Sequence, residues 1–235
     1  MRFFLKHTPR IVFVNGICTT LENAKRDAES LSSHSELIWN PTAWEGIYQN
    51  DEATSAKGSI DQLKAIICQQ LMHDQPICIV AHSKGCHITW KVLESLYPKH
   101  HAKMQQLLYL YMFGGVALLP NHFGKIVENW KSYGSFRIQD GYADLGGEWL
   151  RLTREKNLHT WTSIRRHPEI HDRYTLKMAE NAYSALWHHH SFRKAYLEIA
   201  QSKVVDFEQK HLISGRTWKD YLQVTKRVLS TAAAS

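Results

Sequence analysis

The chain has 235 residues, 43% of them apolar, with 12 glycines and 6 prolines. That is long enough for one full-sized domain with its own core and too apolar for a disordered chain. The net charge of +7 lies entirely in the last third: residues 1–150 carry 14 Lys+Arg against 14 Asp+Glu, and residues 151–235 carry 15 against 8. Such a basic region suits an anionic membrane surface or another acidic partner. No DNA- or RNA-binding motif accompanies it, so no nucleic acid partner is expected, and a solvated basic helical face is the simpler reading. No apolar run approaches the roughly 18 residues that span a bilayer. The opening "MRFFLKHTPRIVFVNG" is broken by Lys6, His7, Pro9 and Arg10 and lacks the apolar stretch and cleavage site of a signal peptide. A cytoplasmic protein is expected.

In chain order, "RIVFVNG" (10–16) is a β-branched apolar run ending at Asn-Gly, a first strand. "TTLENAKRDAESLSS" (19–33) has a Thr cap, an early Glu22, and Leu21, Ala24, Ala28 and Leu31 on one side, so it reads as a helix. "SELIWNPT" (35–42) is a short strand closed by Asn-Pro, and "GSIDQLKAIICQQLMHD" (58–74) is a helix with Ile60, Leu63, Ile67 and Leu71 at helical spacing. "PICIVA" (76–81) is the next strand. The helix after it, with Ile88, Val92 and Leu96 on one face, is expected to stop at Pro98. "QLLYLYMFGG" (106–115) is a fourth strand and "NHFGKIVENWKS" (121–132) reads as a short helix. "SFRIQD" (135–140) and "LHTWTSI" (158–164) are further strand candidates, and from about Asp172 the chain reads as helix, interrupted near "LISGRTW" (212–218).

Strands alternating with helices predict an α/β fold: a mostly parallel sheet of about six strands with helices on both faces. The unalternating "ICIVA" and "LLYLYMF" suit its doubly buried middle. No repeat or linker divides residues 1–235, so one domain is expected, with a basic helical region from about 172 to 235. The four cysteines form no CxxC pair and read as small core residues in a reducing compartment. The 15 histidines include no HExxH, and "HHH" at 188–190 lies in a helical stretch where consecutive residues point to different faces. No metal site is expected.

The stretch that carries chemistry is "VAHSKG" (80–85), which joins a buried strand to a helix. Ligands of a parallel sheet bind at the carboxyl ends of its strands, and Ser83 stands at such an end. A nucleophile turn needs small residues two before and two after the serine, where strand and helix nearly touch; Ala81 and Gly85 meet that need. The bland alternative is a tight turn that holds a serine. Asn15-Gly16, after the first strand, is by itself an ordinary turn. "NGICTT" lacks GxGxxG, and GxxxxGK[ST] is absent, so nucleotide-binding readings are the weaker ones.

Together, "VFVNGI" and "IVAHSKG" resemble the oxyanion loop and nucleophile elbow of the lipase- and esterase-like α/β-hydrolase superfamily, over roughly residues 10–175. Asn15 replaces the His common before the loop glycine, and Ala81 replaces the first Gly of GxSxG; neither change removes a backbone donor. The resemblance implies a serine hydrolase of esters or thioesters with Ser83 as nucleophile, the N–H groups of Ile17 and Lys84 as oxyanion hole, and a triad in the order Ser, acid, His. The acid should follow a late strand: Asp140, ending "SFRIQD", fits first and Asp144 is its rival. The base should sit in a loop before the long C-terminal helix: His171 fits first, with His167 and His159 as alternatives. His188, His189, His190 and His211 read as parts of helices far beyond the sheet. His82 should point away from Ser83, and His87 lies on a helix; neither suits a base.

Such a triad calls for no metal or organic cofactor. A small-molecule or lipid acyl ester would be the substrate. Only about 20 residues separate "MFGG" from "SYGSFRIQD", so little or no separate lid is expected. Trp44, Tyr48, Phe123 and Trp130 are candidates for an acyl-binding wall, although aromatics at such places more often pack as plain core. The alternative to an enzyme is a catalytically inactive hydrolase scaffold that acts as a binding or membrane-associating module.

Overall fold

The structure, a computed structural model, describes residues 9–42, 56–115, 119–132, 158–161 and 190–211. The strands are β1 (Arg10–Val14), β2 (Ser35–Ile38), β3 (Ile77–His82), β4 (Leu108–Phe113) and β5 (Ile126–Ser132). They form an all-parallel sheet in the order β2-β1-β3-β4-β5. Leu158–Trp161 (β6) pairs in parallel with the far side of β5, Leu158 opposite Asn129. Helices α1 (Leu21–Leu31), α2 (Lys57–Met72) and α3 (Lys84–Leu107) connect successive strands, and α4 (Leu197–His211) follows a π-helical turn, Phe192–Tyr196. This is an α/β fold.

Period-two alternation divides the core. Val12, Val14, Ile79, Ala81, Leu110 and Met112 face α2 and α3, where Leu63, Ile67, Ile88 and Val92 are buried. Ile11, Phe13, Cys78, Val80, Tyr109, Tyr111 and Phe113 face α1 and α4, against Ala28, Leu31, Ala200, Val204 and Phe207. Both faces are covered, which is why these strands read as unbroken apolar runs. The Thr20 cap holds: its side chain accepts from the Asn23 N–H at 3.2 Å.

The order places β1 between β2 and β3. The chain therefore leaves β1 toward one side through α1 and returns to the other through α2. At the carboxyl ends of β1 and β3 the connections diverge, the topological switch point at which open α/β sheets bind ligands.

Two expected elements are corrected. The helix after β3 does not stop at Pro98 but continues to Leu107 with Pro98 inside it. Proline removes one backbone donor, yet Leu96 before it and Met104 beyond it are both buried. "NHFGKIVENWKS" is a 3-10 turn, Asn121–Phe123, followed by strand β5. Phe123, Ile126, Val127 and Trp130 have helical spacing, but pairing with β4 wins. The Lys125 N–H bonds the Leu108 carbonyl at 2.8 Å, and the buried Asn129 amide grips both the N–H (2.9 Å) and the carbonyl (3.0 Å) of Leu119. Such tertiary pairing overrides local pattern. The candidate strand at 135–140 and the chain beyond His211 lie outside the described residues.

Candidate active site

Ser83 stands between β3 and α3 with φ 54° and ψ −122°. A non-glycine residue there costs about 1–3 kcal/mol and persists only where its surroundings enforce it. Here they do. The Ser83 N–H bonds the Phe113 carbonyl at 2.9 Å, continuing the β3–β4 ladder, while the Ser83 carbonyl accepts from the Cys86 N–H at 3.0 Å, the first turn of α3. The ladder and the helix pull one residue in two directions. The buried Cys86 thiol, donating to the Ala81 carbonyl at 3.3 Å, ties the turn from beneath.

Two glycines make the turn possible. A Cβ on Gly85 would lie 2.3 Å from the Val14 carbonyl oxygen and 2.8 Å from that of Asn15, so α3 can start only where the end of β1 leaves no room for a side chain. A Cβ on Gly16 would lie 2.8 Å from Cβ of Ser83. The loop after β1 thus lies so close to the serine that only glycine fits at position 16. Asn15 fixes that loop. Its buried amide donates to the Gly16 carbonyl at 2.7 Å and the Asn40 carbonyl at 3.0 Å, and accepts from the Asn40 N–H at 2.7 Å. Where the resembling superfamily places a histidine, this chain places a brace between the ends of β1 and β2.

The structure therefore brings together Ser83, the Gly16–Ile17 peptide and the start of α3. Ile17 follows Gly16 and is half-buried; Lys84 is the first residue of α3. The Lys84 N–H belongs to the first turn of a helix, whose donors and dipole favour negative charge.

The imidazole at the serine belongs to His190. Its Nε2 lies 2.8 Å from the Ser83 Oγ, and the two residues are only 5% exposed. Residue 190 is helical, as expected, but it does not lie far beyond the sheet: it reaches the end of β3, which corrects that part of the reading. The chain returns to the carboxyl edge at Ser191, whose φ −63° and ψ 122° are extended, and then enters the π-helical turn that leads into α4. His211 likewise is helical as expected, the last residue of α4, but it is not far from the sheet: it bonds the hydroxyl of Tyr109 on β4 at 2.8 Å.

Several contacts anchor the His190 segment. Phe192 is buried against Phe13 (4.7 Å between centroids), Phe113 (6.1 Å) and His82 (5.5 Å), a burial that contributes about 2–3 kcal/mol. Arg193 grips one carboxylate oxygen of Asp27 on α1 with Nε at 3.0 Å and Nη2 at 2.7 Å. Burial pushes the Asp27 carboxyl above its ordinary range, against the downward pull of the Arg193 and Arg26 charges. His82 packs its ring 4.9 Å from that of His190, and its Nε2–H donates to the His190 carbonyl at 2.6 Å.

The other expected site residues divide. Asp140, Asp144, His167, His171, Trp44 and Tyr48 lie outside the described residues. Phe123 is not near the serine. It precedes β5, hence the amino edge of a parallel sheet, and packs edge-on to Tyr97 at 5.3 Å. Trp130 pairs opposite Phe113, but its indole stacks on that ring and donates to Glu128 at 2.9 Å, beneath the Lys203 ammonium. Both are packing residues here. His190 was missed although it satisfies the rule applied to His171, a histidine just before a helix; the aromatic "SFRKAY" after it was the usable signal.

Among the described residues no group of three or more His, Cys, Asp or Glu could hold a metal ion, and no helix is long and apolar enough to cross a membrane. Comparison with protein-family models, curated proteins and solved structures finds no match to this chain.

Proposed function

We propose that the protein is a serine hydrolase of carboxylic esters or thioesters, built on a six-stranded α/β-hydrolase-like sheet. The observation that carries this reading is the buried 2.8 Å contact between Nε2 of His190 and Oγ of a serine held at φ 54° at the carboxyl end of β3. The strained turn sets the buried hydroxyl at the end of the strand beside His190, and the imidazole supplies the base a serine needs at neutral pH.

In this reading Ser83 Oγ attacks the acyl carbon while its proton passes to Nε2 of His190. The carbonyl oxygen, now negative, accepts from the N–H groups of Ile17 and Lys84; one such donor is worth about 3 kcal/mol in the transition state. The imidazolium returns its proton to the leaving alkoxide or thiolate as the C–O or C–S bond breaks. Water, deprotonated by the same imidazole, then releases the acid. His190 takes the role first expected of His171, and Asp140, with Asp144 as rival, is the proposed carboxylate behind it.

A fluorophosphonate probe followed by peptide mass spectrometry tests the reading. Labelling is expected at Ser83 and lost in Ser83→Ala and His190→Ala proteins that keep their circular dichroism. Folded wild-type protein that neither labels nor hydrolyses short p-nitrophenyl esters or thioesters would leave the fold as a binding scaffold.

A further inference from the structure

His82 takes no part in the proton transfers above, yet it touches both halves of the site. It ends β3 and shares the face of Cys78 and Val80, toward α1 and α4. Its ring packs 4.9 Å from that of His190, 5.5 Å from Phe192 and 5.9 Å from Tyr196. Its Nε2 lies 2.6 Å from the backbone oxygen of His190, and a carbonyl only accepts, so the Nε2–H donates. On its other side, Nδ1 is 3.0 Å from where a Cβ on Gly16 would stand. Packing alone would be met by phenylalanine; a donor aimed at the carbonyl of the base would not.

We infer that His82 is a positioning residue of the reaction: its bond to the His190 carbonyl sets the distance between the base and Ser83, and its ring fills the gap to the Gly16 loop. The residue before the nucleophile in sequence thus aligns a base 108 positions away. This rests on the hydrolase reading. In that chemistry a displacement of about 1 Å between base and nucleophile costs on the order of 100-fold in rate.

Three variants test it. His82→Phe keeps an aromatic ring and removes the donor; His82→Gln keeps an N–H at similar reach and removes the ring; His82→Asn carries an amide that stops short of the carbonyl. Each is followed by kcat and KM on a short p-nitrophenyl ester, by the rate of fluorophosphonate labelling, and by the NMR titration of the His190 imidazole. His82→Phe and His82→Asn are expected to lower kcat and labelling about 10- to 100-fold with KM changed less than about threefold. His82→Gln should recover most of that loss. Full kcat in His82→Phe with loss in His82→Gln would make His82 a packing residue and overturn the inference. Should His82→Phe fail to fold, His82→Asn against His82→Gln makes the same comparison. The NMR titration separates this inference from the hydrolase reading. An inert wild type would end that reading alone, whereas a His190 titration identical in wild type, His82→Phe and His82→Asn would end the inference.

Discussion

Helix α4 has a hydroxyl–imidazole pair near each end. Ahead of it, His190 meets Ser83 at 2.8 Å; at its last residue, His211 meets Tyr109 at 2.8 Å. The distances match and the chemistry does not. Tyr109 sits in regular strand β4, 2% exposed, paired to Cys78 and Ile126. Its ring packs edge-on to Phe207 at 5.1 Å, and the Lys125 and Lys210 ammonium groups each lie 5.7 Å from its ring centroid. Burial, then the charges of Lys210 and Lys125, hold His211 below its ordinary value. Ser83 sits instead on a strained turn at the start of a helix, with a glycine loop against it. A short hydrogen bond does not make a nucleophile. What differs is the backbone that presents the hydroxyl and the donors around the place where charge would develop.

The comparison breaks most sharply under substitution of the two bases. His190→Ala is expected to lower ester turnover by about 10⁴-fold or more, as loss of a triad base does, and Ser83→Ala should match it. His211→Ala should leave kcat within about twofold, and His171→Ala should spare turnover if His190 is the base. Equal losses from His190→Ala and His211→Ala in folded proteins would erase the distinction.

A second test concerns the turn rather than the imidazole. In Gly85→Ala the new methyl meets backbone oxygens of Val14 and Asn15 that cannot swing aside. A destabilisation of about 3 kcal/mol or more is expected in urea unfolding. Ser83→Ala, at the same turn, should shift the midpoint far less.

A third sharpens how the His190 segment is held. Arg193→Met leaves the Asp27 carboxyl, with 12% side-chain exposure, without its cation. A loss of about 1–3 kcal/mol at pH 7 is expected. The Asp27 value is already raised in the folded protein, so its folded form keeps a proton where the unfolded chain has lost it. The penalty of the ionised form disappears as pH falls through the raised value, so the gap between wild type and Arg193→Met should narrow on acidification. A gap that widens would contradict a buried, underpaired carboxylate.

The smallest effect belongs to His211. Its folded value is lowered, so the unfolded chain takes up a proton first as pH falls. The stability associated with its neutral form is present above the ordinary histidine value and is lost as pH falls through the folded one. His211→Gln should flatten the fall of Tm between about pH 7 and 5, by an amount under about 1 kcal/mol for so exposed a group. No change in that slope would mean that burial and the charges of Lys210 and Lys125 do not discriminate the two charge states.

The elbow was legible because its determinants are local: a doubly apolar strand, a serine, and a glycine two residues on, with all the strain stored between Ala81 and Cys86. So were the strands of the sheet middle, where burial on both faces leaves only apolar residues, and the Thr20 cap, whose bond spans three positions. Strand β5 was not legible, since Ile126, Val127 and Trp130 fit a helix equally well until β4 offers its free edge. The Phe123 and Trp130 wall failed for a related reason: an aromatic in a list has no side of the sheet until strand direction assigns one. The base was the least legible of all. Any of 15 histidines satisfies the chemistry, and selection among them depends on where the chain returns to the carboxyl edge. That return is decided by Phe192 finding Phe13 and Phe113, Arg193 finding Asp27, and His82 finding the His190 carbonyl. The sequence alone determined the tight serine turn and the α/β layering, because both are written in short-range pattern. Tertiary structure alone decided which imidazole meets the serine, because that choice is made by contacts between residues far apart in the chain, from Phe113–Phe192 to Phe13–Phe192.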